Sequence, residues 1–380
     1  MKKHHTIIIA GAGGIAEAVA LILAEWSTVT PTLFIGNRTL SKAQTLVKWI
    51  EDGTTRDCTI KAFHLLEEGI TEEMKQVFEQ GDILLDCLPG TQAPKMARFA
   101  KEYHMHYANL TEYVAETDQI KELAKDASTG FVLQTGLAPG YIDVLAHHLF
   151  TAFCKEFQVS KVATLEFKVG ALSKNAVAPH FYGFTWSPVG VATEYIKEAE
   201  VIRNSKKTKR PSLSERATII INGTPYEADL TSGGAADLPD ALAGKVESMD
   251  YKTLRFPGHY AWVEAHIKKG SGSEEPIEAL RRIMETQIPH IEEDQIILYA
   301  AVQGKDAQGT LRRREVSKQI LPQQVGKYQL RAIQTTTAVP LIQAAQLLLE
   351  TQLKGVVLQS EIDPKSFLTG NFIVPVYGNV

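Results

Sequence analysis

Cysteine is scarce: Cys58, Cys87 and Cys154 are the only three in 380 residues, and no two stand close in sequence. That set excludes a disulfide framework and a zinc knuckle, and fits a reducing, cytoplasmic compartment. Net charge is small as well. Forty Lys and Arg against forty-four Asp and Glu leave −4, which gives no polycationic field for holding nucleic acid. Long apolar runs are missing too. The most apolar stretch, Thr6 to Trp26, is interrupted by Gly11, Gly13, Gly14 and Glu17, and no positive n-region with a small-residue cleavage site fits it. The expectation is therefore no signal peptide and no membrane partner. What is present is an ordinary globular mixture, 44% hydrophobic and 22% charged, long enough for two or three domains.

Up to about Thr135, short β-branched runs alternate with amphipathic stretches, the pattern of a parallel sheet with crossover helices. Six strands are predicted, at Thr6 to Ala10, Thr32 to Ile35, Cys58 to Phe63, Asp82 to Cys87, His106 to Asn109 and Phe131 to Gln134, with five helices between them. The whole reads as an α/β, doubly wound Rossmann domain. After Gly136 the register changes. Ala138-Pro139-Gly140 opens a helix ending near Cys154, and long alternating strands follow, such as Val162 to Val169, Ala217 to Ile221 and Gln295 to Gln303. These predict a second, α+β mixed-sheet domain, with a hairpin over Gly304 to Gly309. A last helix is capped by Thr337, carries Pro340 in its first turn and stops at Gly355.

Ile7-Ile8-Ile9-Ala10 runs into Gly11-Ala12-Gly13-Gly14-Ile15-Ala16, a G-x-G-x-x-A fingerprint between a strand and a helix. Glycines there let the chain turn tightly and let a pyrophosphate approach bare amides at the positive end of the helix. A site for NAD usually places a carboxylate at the tip of the second strand, about twenty residues on, to accept from the ribose hydroxyls. This chain has Asn37-Arg38-Thr39 instead, with Lys42 close by. A neutral Asn and a guanidinium able to grip a 2′-phosphate point to NADP, with NAD less favoured. Leu88 and Pro89, past the fourth strand, should flank the nicotinamide half, and Asn109 to Tyr113 fall on the same edge of the sheet.

Gly136-Leu137-Ala138-Pro139-Gly140-Tyr141-Ile142-Asp143 resembles the G-x-x-P-G segment that follows the last Rossmann strand in the saccharopine dehydrogenase family. Phe184 to Gly190, Pro211 to Glu215, Thr231-Ser232-Gly233-Gly234, Tyr251 to His259 and Thr335 to Ala338 extend the resemblance over nearly the whole chain. It is closest to the lysine 6-dehydrogenase and saccharopine reductase branches. The resemblance implies a Rossmann domain over 1–135 and 335–380, including a returning C-terminal helix. It implies a substrate-binding and dimerisation domain over 136–334, hence a homodimer or higher even oligomer. The implied chemistry is pyridine-nucleotide oxidation of an amine, or reduction of the matching imine, on a lysine-like amino acid. One departure is Asn37, where lysine 6-dehydrogenases carry an Asp.

Such chemistry sets requirements on side chains. Hydride leaves an amine-bearing carbon only when the nitrogen is neutral, so a proton acceptor is needed. Glu112 and His259 are the candidates, the second because an imidazole titrates near neutral pH without help. A substrate carboxylate needs a fixed cation, and Arg255 is the candidate clamp. Lys252 is weaker, because three residues of straight strand send the two side chains to opposite faces. Tyr113, Tyr182 and Trp186 could wall the pocket against water. His147 with His148, and His104 with His106, each lack an obvious third ligand, so no metal is expected. Alternatives within the class are a saccharopine reductase or a carboxynorspermidine synthase-like reductive condensation. The alternative outside it is a non-catalytic NADP(H)-binding redox sensor.

Overall fold

The computed structural model describes residues 4–269, 275–351 and 353–380. The chain forms two compact units. One takes in the chain through Tyr141 together with Gln323–Leu330 and Gln334–Val380, and the other Ile142–Pro322 with Arg331–Ile333.

In the first unit β1 (Thr6–Ala10) leads into α1 (Gly14–Trp26), β2 (Thr32–Asn37), α2 (Leu40–Gly53), β3 (Thr59–His64), α3 (Glu72–Phe78), β4 (Ile83–Asp86), α4 (Ala93–Glu102), β5 (His106–Asn109), α5 (Val114–Ala124) and β6 (Gly130–Val132). Ile7, Ile8 and Ile9 are all buried, as expected of a central parallel strand covered by helices on both faces. All pairings in this sheet are parallel, and β1 lies between β2 and β4. Chain order reverses at that point, so the crevice beyond the carboxyl ends of β1 and β4 is where a nucleotide would lie.

The second unit follows α6 (Tyr141–Phe157) with β7 (Val162–Ser173), α7 (Pro188–Ile196), β8 (Ala199–Arg203), β9 (Lys206–Arg210), β10 (Ala217–Ile221), β11 (Thr224–Leu230), α8 (Leu238–Leu242), β12 (Val246–Arg255), α9 (His259–Lys269), α10 (Pro276–Gln287), β13 (Asp294–Lys305) and β14 (Leu311–Ile320). The strands form an eight-stranded mixed sheet whose main path runs β10-β11-β12-β7-β13-β14, with β8 joined to β12 and β9. Among the described residues, only β12 and β7 pair in parallel in this sheet. The hairpin predicted over Gly304 to Gly309 joins β13 to β14, and Asp306 closes it by accepting from the Gln308 and Thr310 amides.

The chain ends with β15 (Gln323–Val325), β16 (Tyr328–Leu330), α11 (Ala332–Glu350) and β17 (Gly355–Val357). Two expectations change here. The parallel sheet has seven strands, because β17 pairs with β6 at its edge, whereas Gly355 was read only as a helix stop. The last helix starts at Ala332, ahead of the expected cap at Thr337, and Pro340 lies inside it. Its first amides are satisfied from far away in sequence: the buried Asp294 carboxylate accepts from the Ala332 and Ile333 N–H groups, each at 2.8 Å. Among the described residues, no helix is long and apolar enough to cross a membrane, and no three His, Cys, Asp or Glu side chains gather as a metal site.

Candidate functional site

The glycine loop has the geometry a nucleotide requires. Gly11 has φ +119°, and a Cβ there would stand 3.0 Å from the Cys87 carbonyl oxygen, so only glycine turns the chain this close to β4. A Cβ on Gly13 would meet nothing within 4 Å. Gly13 thus borders open space at the N-terminus of the 13-residue helix α1, where bare amides face an incoming anion. Gly14 and Ile15 are the first residues of that helix. A cavity of about 440 Å³ brings Gly11, Gly13, Asn37, Arg38, Thr39, Lys42, Leu88 and Pro89 together. Those residues are a suitable set for the phosphates of a dinucleotide.

The same cavity is lined by Cys87 and by residues that sequence reading missed, namely Leu65, Leu66 and Glu67 just past β3, and Thr91, Gln92 and Met96 past β4. A ligand in an open parallel sheet lies beyond the ends of several strands, so the end of β3 carried a signal that went unused. Desolvation drives the Cys87 thiol well above its ordinary range, which makes it an inert wall. Asp86, at the end of β4, is buried. Its carboxylate accepts from the Leu88 amide at 3.0 Å and the Tyr107 hydroxyl at 2.8 Å, and burial pushes its pKa up to about 7. Asp86 therefore fastens the start of the loop that carries Leu88 and Pro89.

Past β5, Glu112 is half-buried, and Tyr113 stands at the N-cap of α5 without a side-chain capping bond. A Cβ on Gly90 would stand 2.2 Å from the Thr111 hydroxyl and 2.7 Å from the Tyr113 ring. The loops after β4 and β5 are therefore in direct contact.

The second unit gathers its own constellation where β12 runs out. Arg255 is 1% exposed. Its Nε donates to the Tyr195 hydroxyl at 2.6 Å and its Nη1 to the Leu254 carbonyl at 3.0 Å, while Nη2 faces the Glu194 carboxylate at 3.9 Å. The Tyr182 ring lies against the guanidinium, 4.7 Å from its carbon. The turn Phe256-Pro257-Gly258, with φ +101° at Gly258, leads to His259 at the start of α9. His259 Nδ1 lies 2.6 Å from the His180 carbonyl oxygen and Nε2 lies 3.0 Å from the Tyr195 hydroxyl. A carbonyl can only accept, so Nδ1 carries the proton. Nε2 then accepts from Tyr195, whose oxygen accepts in turn from Arg255.

Two expectations fail at this constellation. His259 does not titrate near neutrality: burial, followed by the Arg255 charge, pushes it down to about 3, and it stays a neutral link. Lys252 does not reach Arg255. Its ammonium donates instead to the Glu215 carbonyl. Trp186 is half-buried and packs on Gly190, where a Cβ would stand 2.3 Å from its ring. Tyr195 and Glu194, on α7, were not anticipated, and nothing local in α7 marks them. The T-S-G-G segment supports them: the Ser232 amide donates to the Glu194 carbonyl at 3.0 Å, the Thr231 and Thr253 hydroxyls meet at 2.7 Å, and Gly234 leaves room for the Tyr251 ring.

Residues 7–133 match the saccharopine dehydrogenase NADP binding domain, and residues 136–370 match the saccharopine dehydrogenase C-terminal domain. The alpha-aminoadipic semialdehyde synthase of Arabidopsis thaliana is 23% identical over 210 residues, which make up 50% of this chain and 19% of that protein. The match thus spans under a fifth of that relative's length. Apo saccharopine dehydrogenase (L-Glu forming) from Saccharomyces cerevisiae has a TM-score of 0.71 at 16% identity, covering 95% of each chain. The homospermidine synthase of Legionella pneumophila, solved with NAD, has a TM-score of 0.68 at 12% identity, covering 99% of this chain and 90% of that one. At such identities the structural likeness speaks for the fold alone. With the glycine loop inside one matched domain and the Arg255 constellation inside the other, the chain belongs to the saccharopine dehydrogenase family.

Proposed function

We propose that this chain is an NADP-dependent oxidoreductase of the saccharopine dehydrogenase type, acting at an amine or imine carbon of a lysine-like amino acid as lysine 6-dehydrogenases do. The observation that carries it is Arg255, a buried guanidinium whose Nη2 edge, among the described residues, faces the Glu194 carboxylate at 3.9 Å, beyond hydrogen-bond distance, and so retains donors for a substrate carboxylate. The nicotinamide, when bound, supplies or accepts the hydride. Arg255 holds the substrate carboxylate, and Tyr195 and neutral His259 hold Arg255 in register. Glu112 takes the proton from the substrate amine, since His259 remains neutral at any ordinary pH. Tyr113 and Trp186 limit the access of water. Asn37 and Arg38 favour NADP over NAD.

Lysine, related diamino acids, and amine plus aldehyde pairs, followed in both directions by NADPH absorbance, test the proposal. Turnover of a diamino acid alone supports it. Turnover only with an amine and an aldehyde together moves the chain to the reductive-condensation branch. Tight NADPH binding with no turnover moves it to a redox sensor. We further propose a cytoplasmic homodimer or higher even oligomer. The edge strands β10 and β14 expose Ile220 and Leu311, 71% and 61% accessible, as a subunit contact would use. Light scattering at micromolar concentration should give an even multiple of the chain mass, and a monomeric mass overturns the assembly.

A further inference from the structure

Arg38, offered above as the grip on a 2′-phosphate, already has an anionic partner. Its Nη1 donates to the Glu67 carboxylate. Glu67 is brought there by fixed backbone. The Leu65 amide donates to the Asn37 carbonyl at 3.2 Å, and His64 Nε2 meets the Arg38 carbonyl at 2.9 Å, which ties the tips of β2 and β3 together. The Lys95 ammonium, on α4, donates to the carbonyls of Leu66 and Glu67. The two charged side chains are otherwise loose, 70% and 58% exposed, and both line the cavity that holds the glycine loop. An ion pair this exposed contributes little and exchanges easily.

We propose that Glu67 is a specificity residue that competes with the cofactor 2′-phosphate for Arg38, an inference that rests on the NADP reading above. A 2′-phosphate carries close to two negative charges and fits the guanidinium fork in a bidentate way. It must displace a carboxylate that stays nearby and repels it. A ribose 2′-hydroxyl meets the opposite situation, because it can donate to that carboxylate and leave the Arg38 pair in place. One side chain therefore weakens NADPH and supports NADH, which narrows the preference that Asn37 and Arg38 create.

Glu67→Gln removes the charge and keeps the shape, and fluorescence titration of NADPH and NADH on the purified full chain reads the result without any turnover. NADPH should bind about fivefold to thirtyfold more tightly, the size of a carboxylate's repulsion near 4 Å in water by a phosphate carrying one to two charges. NADH should bind no better, or more weakly, and the NADPH gain should shrink in high salt. In an Arg38→Ala background the part of the gain that comes from competition for the guanidinium should vanish, leaving only the direct repulsion between Glu67 and the phosphate. A wild type that prefers NADPH, with a Glu67→Gln ratio that does not move, overturns the role of Glu67 and leaves the NADP reading standing. A wild type that prefers NADH, with NADH binding lost in Glu67→Gln, overturns both, and Glu67 is then the ribose acceptor.

Discussion

Burying a guanidinium costs several kcal/mol unless its donors are met. At Arg255 that cost is offset by a phenol, a carbonyl and a nearby carboxylate. The hydrogen bonds run His180 carbonyl, His259, Tyr195, Arg255, each donor and acceptor fixed by the next. Removal of the cation from a substrate carboxylate should cost on the order of 2 to 5 kcal/mol. We therefore expect Arg255→Ala to lower kcat/KM for the amino acid by tens of fold or more, with NADPH affinity within about twofold of wild type. Loss of both ligands together with a fall in Tm would return Arg255 to a purely structural role. The residues here differ in how legible they are. Arg255 and His259 sit in a recognisable run, Tyr251 to His259, whereas Tyr195 meets them across about sixty residues of sequence and has no local mark. The charge state of His259 was misjudged for a related reason: it is set by burial, which no neighbour in sequence reports. Glu67 escaped because the acid of a nucleotide site is sought at the tip of β2, and here it arrives from β3.

Among the elements, β4 and the loop that leaves it have a pH dependence of their own. The Asp86 carboxyl has an ordinary value of 3.8 and a folded value of about 7, so between those limits the folded chain keeps a proton that the unfolded chain has released. Stability contributed by this group is thus greatest at low pH and falls as pH rises through the window, by a few kcal/mol at most. In Asp86→Asn the titration is gone. The amide oxygen can still accept from Leu88, and the amide nitrogen can donate to the Tyr107 oxygen while that hydroxyl turns to the Ala93 carbonyl, 3.2 Å away. The Tm of this variant should vary less than that of wild type between pH 4 and 7 on this account, and should be higher at pH 8. An unchanged pH slope would mean that Asp86 is already ionised. Elements with local signals were found from sequence, including the glycine turn, the alternating strands and the 304–309 hairpin. The start of α11 was not, because Asp294 caps it from 38 residues away, and β17 was not, because three residues of strand carry too little pattern to stand out.

For the whole molecule, the matching segments extended through both domains because short turns and caps recur along the chain. The way the chain shares itself between the two units was implied by the resemblance, with 335–380 returning to the first domain, and not by any local pattern. The first unit is built from separated stretches, and its edge strand β17 and most of α11 come from the last part of the chain. The second unit is nearly continuous. During synthesis that ordering inverts the usual rule that the N-terminal domain matures first. When the polypeptide has emerged as far as Ile333, every residue of the second unit is available, while the nucleotide-binding sheet still waits for its seventh strand. A chain stopped at Ile333 should then yield a protease-resistant core mapping to the second unit and lose the first to digestion. Equal resistance of both would show that β1 to β6 close without β17. The nucleotide-binding unit would on this account take shape after the unit that follows most of it in sequence, and nucleotide capture would report that β17 had been made.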